Sequence, residues 1–185
     1  MTVPRGQSAV LETPRLVLRR PRPADAEGFI GFLGSERAVH LGGPMARPAA
    51  WRVFATVLGH WEMLGFGLWA VCRHGSERAV ATVGLLRPEG WPEGEIAWHV
   101  LDPSAEGAGI AFEAAEAARA HAYEVLGWPG AVSYIAPANA RSIRLAERLG
   151  AVADAEAPVP EGLACTAWRH PGPEALAEGG MEAYA

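Results

Sequence analysis

Apolar positions along this chain follow two rhythms, one repeating every three to four residues and one running through short strands. Leu16, Val17 and Leu18 form a short extended run between Thr13-Pro14-Arg15 and a polar turn. Pro21 and Pro23 lack backbone donors and end it. Ala24–Glu27 opens a helix whose Phe29, Ile30, Phe32 and Leu33 make one apolar face, broken by Gly34 and Ser35. His40–Pro44 reads as a loop. A longer helix follows Pro48, with Trp51, Phe54, Val57, Leu58, Trp61 and Leu64 at helical spacing. Trp51 and Trp61 are expected to pack that helix, and Gly65 and Gly67 to stop it.

The rhythm then changes. Phe66–Cys72 and Ala79–Leu86 are apolar runs around a polar connection, a hairpin pattern. After a Pro- and Gly-rich turn, Glu95–Leu101 reads as a strand. Regular alternation places Glu95, Ala97, His99 and Leu101 on one face, and Ile96, Trp98 and Val100 on the other. Pro103 ends it. Residues 109–126 read as a helix closed by Gly127 and Pro129. A strand over Ala131–Ile135 precedes a helix running from about Asn139 to Gly150. Further strand material is expected around Leu163–Trp168, and a flexible tail over 171–185. This mixed order predicts an α/β (α+β) layered fold. At 185 residues the chain fits one main domain, here 1–170.

Charge is distributed unevenly. The net charge is −5, and all 16 basic residues are arginine. Residues 1–52 hold eight arginines against four acids, whereas residues 89–185 hold five against fifteen. Positive side chains for a phosphate should therefore come mainly from the N-terminal part, and the acidic part could attract a cationic acceptor. A basic stripe with interleaved aromatics is missing, which argues against nucleic-acid binding. Cys72 and Cys165 lack metal-ligand spacing and are expected as buried free thiols. The dispersed histidines suggest no metal site. No signal-like N-terminus or long apolar run is evident, so a cytoplasmic protein without membrane association is expected.

The most informative stretch is EIAWHVLDPSAEGAGIAFEA, residues 95–114. A strand, a Gly-containing turn and the start of an Ala-rich helix can leave several backbone N–H groups free for an anion. The same glycines could serve only to turn the chain. Downstream, APANARSIRLAERLG, residues 136–150, reads as a loop and helix in which Asn139 can cap the helix and Ser142 can share its face.

These two segments, with LETPRLVLRRPRPADAE at 11–27, resemble the GCN-five-related N-acetyltransferases, the GNAT superfamily. The likeness is to its RimJ/RimL type in particular and spans about residues 11–170. It implies a strongly twisted, mixed central sheet flanked by helices and splayed at an acyl-coenzyme A cleft. It implies acetyl-coenzyme A as acyl donor and a primary amine as acceptor, on a peptide N-terminus or a small molecule, in a bacterial-type reaction.

Matched by motif, the diphosphate would meet the backbone of Ser104, Ala105, Glu106, Gly107, Ala108, Gly109, Ile110 and Ala111. Trp98, His99, Val100 and Leu101 would border the pantetheine, and Asn139 and Ser142 would contact coenzyme A. The resemblance makes Glu95 the first candidate base, with His99 as a competitor on the same strand. Ser142 is the candidate donor to the leaving thiolate, and His40, Leu41, Gly42 and Gly43 border the acceptor. Three positions depart from the pattern. Ser104 replaces an often basic or glutamine residue and Ala108 a commonly basic one, and Glu106, where an aromatic is common, puts an acid beside the diphosphate site, where it opposes binding unless it points away. A catalytically weak coenzyme A or metabolite sensor is the alternative. A homodimeric interaction module is a third reading, which an exposed Trp91 and a C-terminal apolar patch would support.

Overall fold

The computed structural model describes residues 10–182. Contacts divide the chain into two compact units. The first comprises the chain through Leu86 together with Ala97–Ala118; the second comprises Arg87–Ile96 and the chain from Arg119 onward.

In the first unit, β1 (Leu11–Glu12), β2 (Leu16–Arg19), β3 (Leu68–Arg73) and β4 (Ala79–Leu86) pair as successive antiparallel neighbours. β5 (Glu95–Val100) follows β4 in the strand order. Just past its end, the Leu101 and Asp102 amides both donate to the Val80 carbonyl, at 2.9 and 3.0 Å. The predicted helices appear as α1 (Ala26–Leu33) and α2 (Arg47–Leu64). Their apolar faces bury Phe29, Ile30, Phe54 and Val57 in one core with Leu68, Ala97 and Leu101. Gly65, at φ 77°, ends α2 in the left-handed conformation that a side chain resists.

A buried ion pair fixes the entry to α1. Arg19 donates both Nη groups to Asp25, each at 2.8 Å, with both side chains only 9% exposed. Burial alone would raise the Asp25 carboxyl, but the Arg19 hydrogen bond and the Arg22 amide hold it below its ordinary value.

In the second unit, β5 pairs in parallel with β6 (Val132–Ile135) at one register position, Glu95 opposite Val132. β8 (Thr166–Arg169) pairs antiparallel with both β6 and β7 (Val152–Asp154), giving the order β5-β6-β8-β7. α3 (Ile110–Glu124) begins in the first unit and ends in the second, and α4 (Ala140–Arg148) lies in the second. Gly94 allows close passage of Trp128, whose ring would collide with any Cβ there.

Several expectations needed correction. Trp51 is 58% exposed and does not pack its helix, whereas Trp61 is 4% exposed and does. His40 and Leu41 belong to a six-residue 3₁₀ segment, Glu36–Leu41, rather than a loop. The 151–170 region supplies two strands. Where a tail was expected, Pro173–Glu182 forms α5; residues 183–185 lie outside the described residues. Cys72 is buried, but Cys165 is only partly so, and both are free thiols.

Candidate active site

The first unit carries the turn between β5 and α3. Asp102 caps it, accepting from the Ser104 amide at 2.9 Å. The Ala105 and Glu106 amides donate to Asp102 and Pro103 carbonyls, and the Ala108 amide reaches the Ala105 carbonyl at 3.4 Å. Those four amides are used inside the turn. The helical ladder of α3 begins only beyond Ile110 and Ala111, because the first turn of a helix has no upstream acceptors. Gly107 and Gly109 sit at φ 71° and 76°, left-handed conformations suited to glycine. Among the described residues, the amides of Gly107, Gly109, Ile110 and Ala111 take no part in these turn bonds, which leaves them in a position suited to an external anion.

Two arginines far away in sequence complete this region. Arg15, immediately before β2, donates Nη1 to the Ala108 carbonyl at 3.0 Å and Nε to Glu113 at 2.5 Å. A Cβ on Gly109 would lie 3.3 Å from Arg15 Nη2. Arg15, Arg73, His74, Ala108 and Ile110 line a cavity of ≈ 380 Å³. Arg37, on the 3₁₀ segment, donates to the Val100 carbonyl at 2.6 Å and to the Leu101 carbonyl at 2.8 Å. Its Nε also donates to Glu106 at 2.7 Å. Sequence reasoning missed both residues individually; the only signal was the arginine excess near the N-terminus.

His99 is partly exposed and packs against Phe29 and Phe32, with ring centroids 6.3 and 6.0 Å away. Its Nδ1 lies 3.2 Å from Thr82 Oγ1. Burial pushes its imidazole down to about 4, so the ring is neutral near pH 7 and a weak proton acceptor. Trp98 and Val100 are also partly exposed, while Leu101 is buried. His40 and Leu41 are exposed on the 3₁₀ segment. Gly42, at φ 77°, turns the chain out of that segment. Gly43 is sterically required, because a Cβ there would lie 2.9 Å from both Ala38 Cβ and the Leu33 carbonyl.

The second unit carries Glu95, 8% exposed at the start of β5. Trp91 Nε1 donates to its Oε2 at 2.7 Å. Burial raises the Glu95 carboxyl to about 7, although the Trp91 indole and the Tyr134 backbone amide both favour its charged form. The one-register β5–β6 ladder explains the second donor: the carboxylate serves Tyr134 where strand pairing has run out. A group titrating near 7 is matched to proton transfer at neutral pH. Glu95 and His99 are four residues apart on one strand, and only Glu95 has that match.

Asn139 is the N-cap of α4, and its side chain accepts from the Ser142 amide at 3.1 Å. This local bond brings Asn139 and Ser142 together and orders the loop entering α4. Among the described residues no group of three or more His, Cys, Asp or Glu side chains could hold a metal ion. Nor is any helix there long and apolar enough to cross a membrane.

The family model for the acetyltransferase (GNAT) domain matches residues 15–152. The chain belongs to this acetyltransferase family. An acetyltransferase from Agrobacterium tumefaciens str. C58 is similar over 92% of this chain and 96% of its own, at 32% identity and a TM-score of 0.82. A GNAT-family acetyltransferase from Bacillus anthracis matches 87% of this chain and 95% of its own, at 18% identity and a TM-score of 0.69, a likeness of fold alone. The mixed α/β GNAT-like fold, a central sheet flanked by helices, is that of the family, and membership implies an acetyl-coenzyme A site.

Proposed function

We propose that this protein transfers the acetyl group of acetyl-coenzyme A to a primary amine, on a peptide N-terminus or a small molecule. The observation that carries this reading is the β5–α3 turn. Its left-handed Gly107 and Gly109, with Ile110 and Ala111, present four amides that the turn's own bonds leave out, the donor set that a diphosphate needs. Acetyl-coenzyme A supplies the activated thioester. The protein's own residues then manage protons and position.

Glu95, directly or through water, takes the proton that the attacking amine must lose. The nitrogen–carbon bond forms as the carbon–sulfur bond breaks, and the departing thiolate takes up a proton, for which Ser142 is the proposed donor. His99, neutral and held by Thr82 and two phenylalanines, shapes the strand face rather than acting as base. The exposed His40 and its segment are the proposed acceptor border. The RimJ/RimL resemblance accommodates a peptide N-terminus or a small amine; the acidic C-terminal half favours a cationic acceptor of either kind.

Calorimetric titration with coenzyme A and acetyl-coenzyme A, followed by thiol-release turnover with an amine and peptide panel, tests the proposal. Binding with turnover is expected. No binding at millimolar ligand would overturn it, and binding without turnover on any amine would favour a sensor.

A further inference from the structure

Glu106 stands where an acid should repel a diphosphate, yet its carboxylate is held by an arginine 69 residues earlier in the chain. Arg37 and Glu106 approach to 2.6 Å, and both side chains are roughly one-quarter exposed, at 27% and 28%. In that setting a charge pair is only partly screened by water. The same guanidinium donates to the carbonyls of Val100 and Leu101 at the end of β5. It also lies over the Phe32 ring, 5.4 Å from its centroid. All three nitrogens are thereby directed at one strand end and one turn, and an aromatic face supports the plane.

We propose that Arg37 is a positioning residue that makes the acidic turn competent for an anionic ligand. It compensates Glu106 and fixes the strand end that leads into the turn. The proposal rests on the coenzyme A reading of that turn. It explains how the chain tolerates an acid at Glu106 and an uncharged Ala108. The turn needs neither a basic side chain of its own nor the loss of its acid, because the compensating charge arrives from the 3₁₀ segment Glu36–Leu41. Lysine could supply the charge, but its single ammonium cannot reproduce the planar set of bonds to two carbonyls and a carboxylate.

The experiment compares coenzyme A affinity by calorimetry for the wild-type chain, Arg37→Ala, Glu106→Gln and the double variant. Arg37→Ala should weaken binding at least about tenfold, because the guanidinium charge that answers Glu106 is then lost beside the turn. Glu106→Gln in the Arg37→Ala background should restore most of that loss. Glu106→Gln alone should change affinity by less than about threefold, because its charge is already neutralised. A double variant as weak as Arg37→Ala would reduce Arg37 to a structural role and overturn the proposal.

Should Arg37→Ala fail to fold, Glu106→Gln and Arg37→Lys together still decide. A tenfold gain in affinity would mean that the acid repels the ligand despite Arg37, and would overturn compensation. A change below threefold, together with weakened binding in Arg37→Lys, would uphold it. Failure of the wild-type chain to bind coenzyme A at all would overturn the acetyl-coenzyme A reading and Arg37's role with it. A binding wild type with an unaffected Arg37→Ala would overturn Arg37's role alone.

Discussion

The Trp91 indole N–H donates to Glu95 Oε2 at 2.7 Å, from a turn four residues upstream of the carboxylate it holds. Burial and hydrogen bonding pull this carboxyl in opposite directions, and burial wins. Tyr134 and the Cys165 thiol lie close enough to feel its charge, and Glu93 acts on Tyr134 in turn. Trp91→Phe should therefore move the acidic limb of the pH–rate profile upward by about one unit, since a hydrogen bond to the charged form is lost. Turnover at pH 9 should change little. An unmoved limb would mean that Trp91 only packs the turn.

Glu95→Gln keeps an acceptor for Trp91 but removes the proposed base. Turnover should fall ~10²–10⁴-fold, with coenzyme A affinity preserved. In the wild-type protein, turnover should rise as pH increases through about 7, and that rise should vanish in the variant. His99→Gln should cost less than about tenfold, because an imidazole held near 4 is a poor base at neutral pH. Stopped-flow or thiol-release kinetics across pH separates the two. A greater loss from His99→Gln would exchange their roles.

Gly107→Ala and Gly109→Ala should both weaken coenzyme A binding. Each forces a side chain into the left-handed region, at roughly 1–2 kcal/mol. Gly107 has open space around its missing Cβ, so strain is its whole cost. Gly109→Ala adds a 3.3 Å approach to Arg15 and should be the more damaging. Calorimetry on both variants checks the order.

Stability should fall as the solution is acidified from pH 6.5. Burial, and secondarily Arg119, push His170 down to about 3, and burial pushes His99 down to about 4. Between those values and the ordinary 6.5, the unfolded chain binds protons that the folded one refuses, so acid favours unfolding. Asp25, also depressed, adds to the loss as pH falls below the ordinary carboxylate range. Glu95 acts with the opposite sign: its raised carboxyl contributes stability at low pH that is lost as pH rises through about 7. Melting temperatures measured from pH 4 to 8 should therefore decline on the acid side. His170→Gln should reduce the acid-side slope by about one proton.

His40→Ala tests the acceptor border. The residue is exposed on the 3₁₀ segment that also carries Arg37. Its loss should lower kcat/KM for the best acceptor with little change in acetyl-coenzyme A affinity. Equal efficiency with every peptide and small amine would remove His40 from acceptor recognition. A larger loss for peptides than for free amines would favour N-terminal acetylation of proteins.

Local patterns determined much of this protein. Helical spacing located α1 and α2, apolar runs located β3 and β4, and the glycine pair at 107 and 109 identified a turn that only a left-handed backbone could make. Asn139 as a cap was equally legible, because its partner Ser142 is three residues away. These features depend on neighbours within a few positions, so the sequence alone displays them. Trp51 was misread because spacing reports that an apolar face exists, not whether anything covers it. The functional chemistry depended on distant partners. Arg37 reaches Glu106 across 69 positions, Arg15 reaches Glu113 across 98, and His99 packs against two rings on α1. Charge compensation and desolvation are set by distance and burial in three dimensions. Only the tertiary structure could show that Glu106 is answered by an arginine and that burial pushes the Glu95 carboxyl up and the His99 imidazole down.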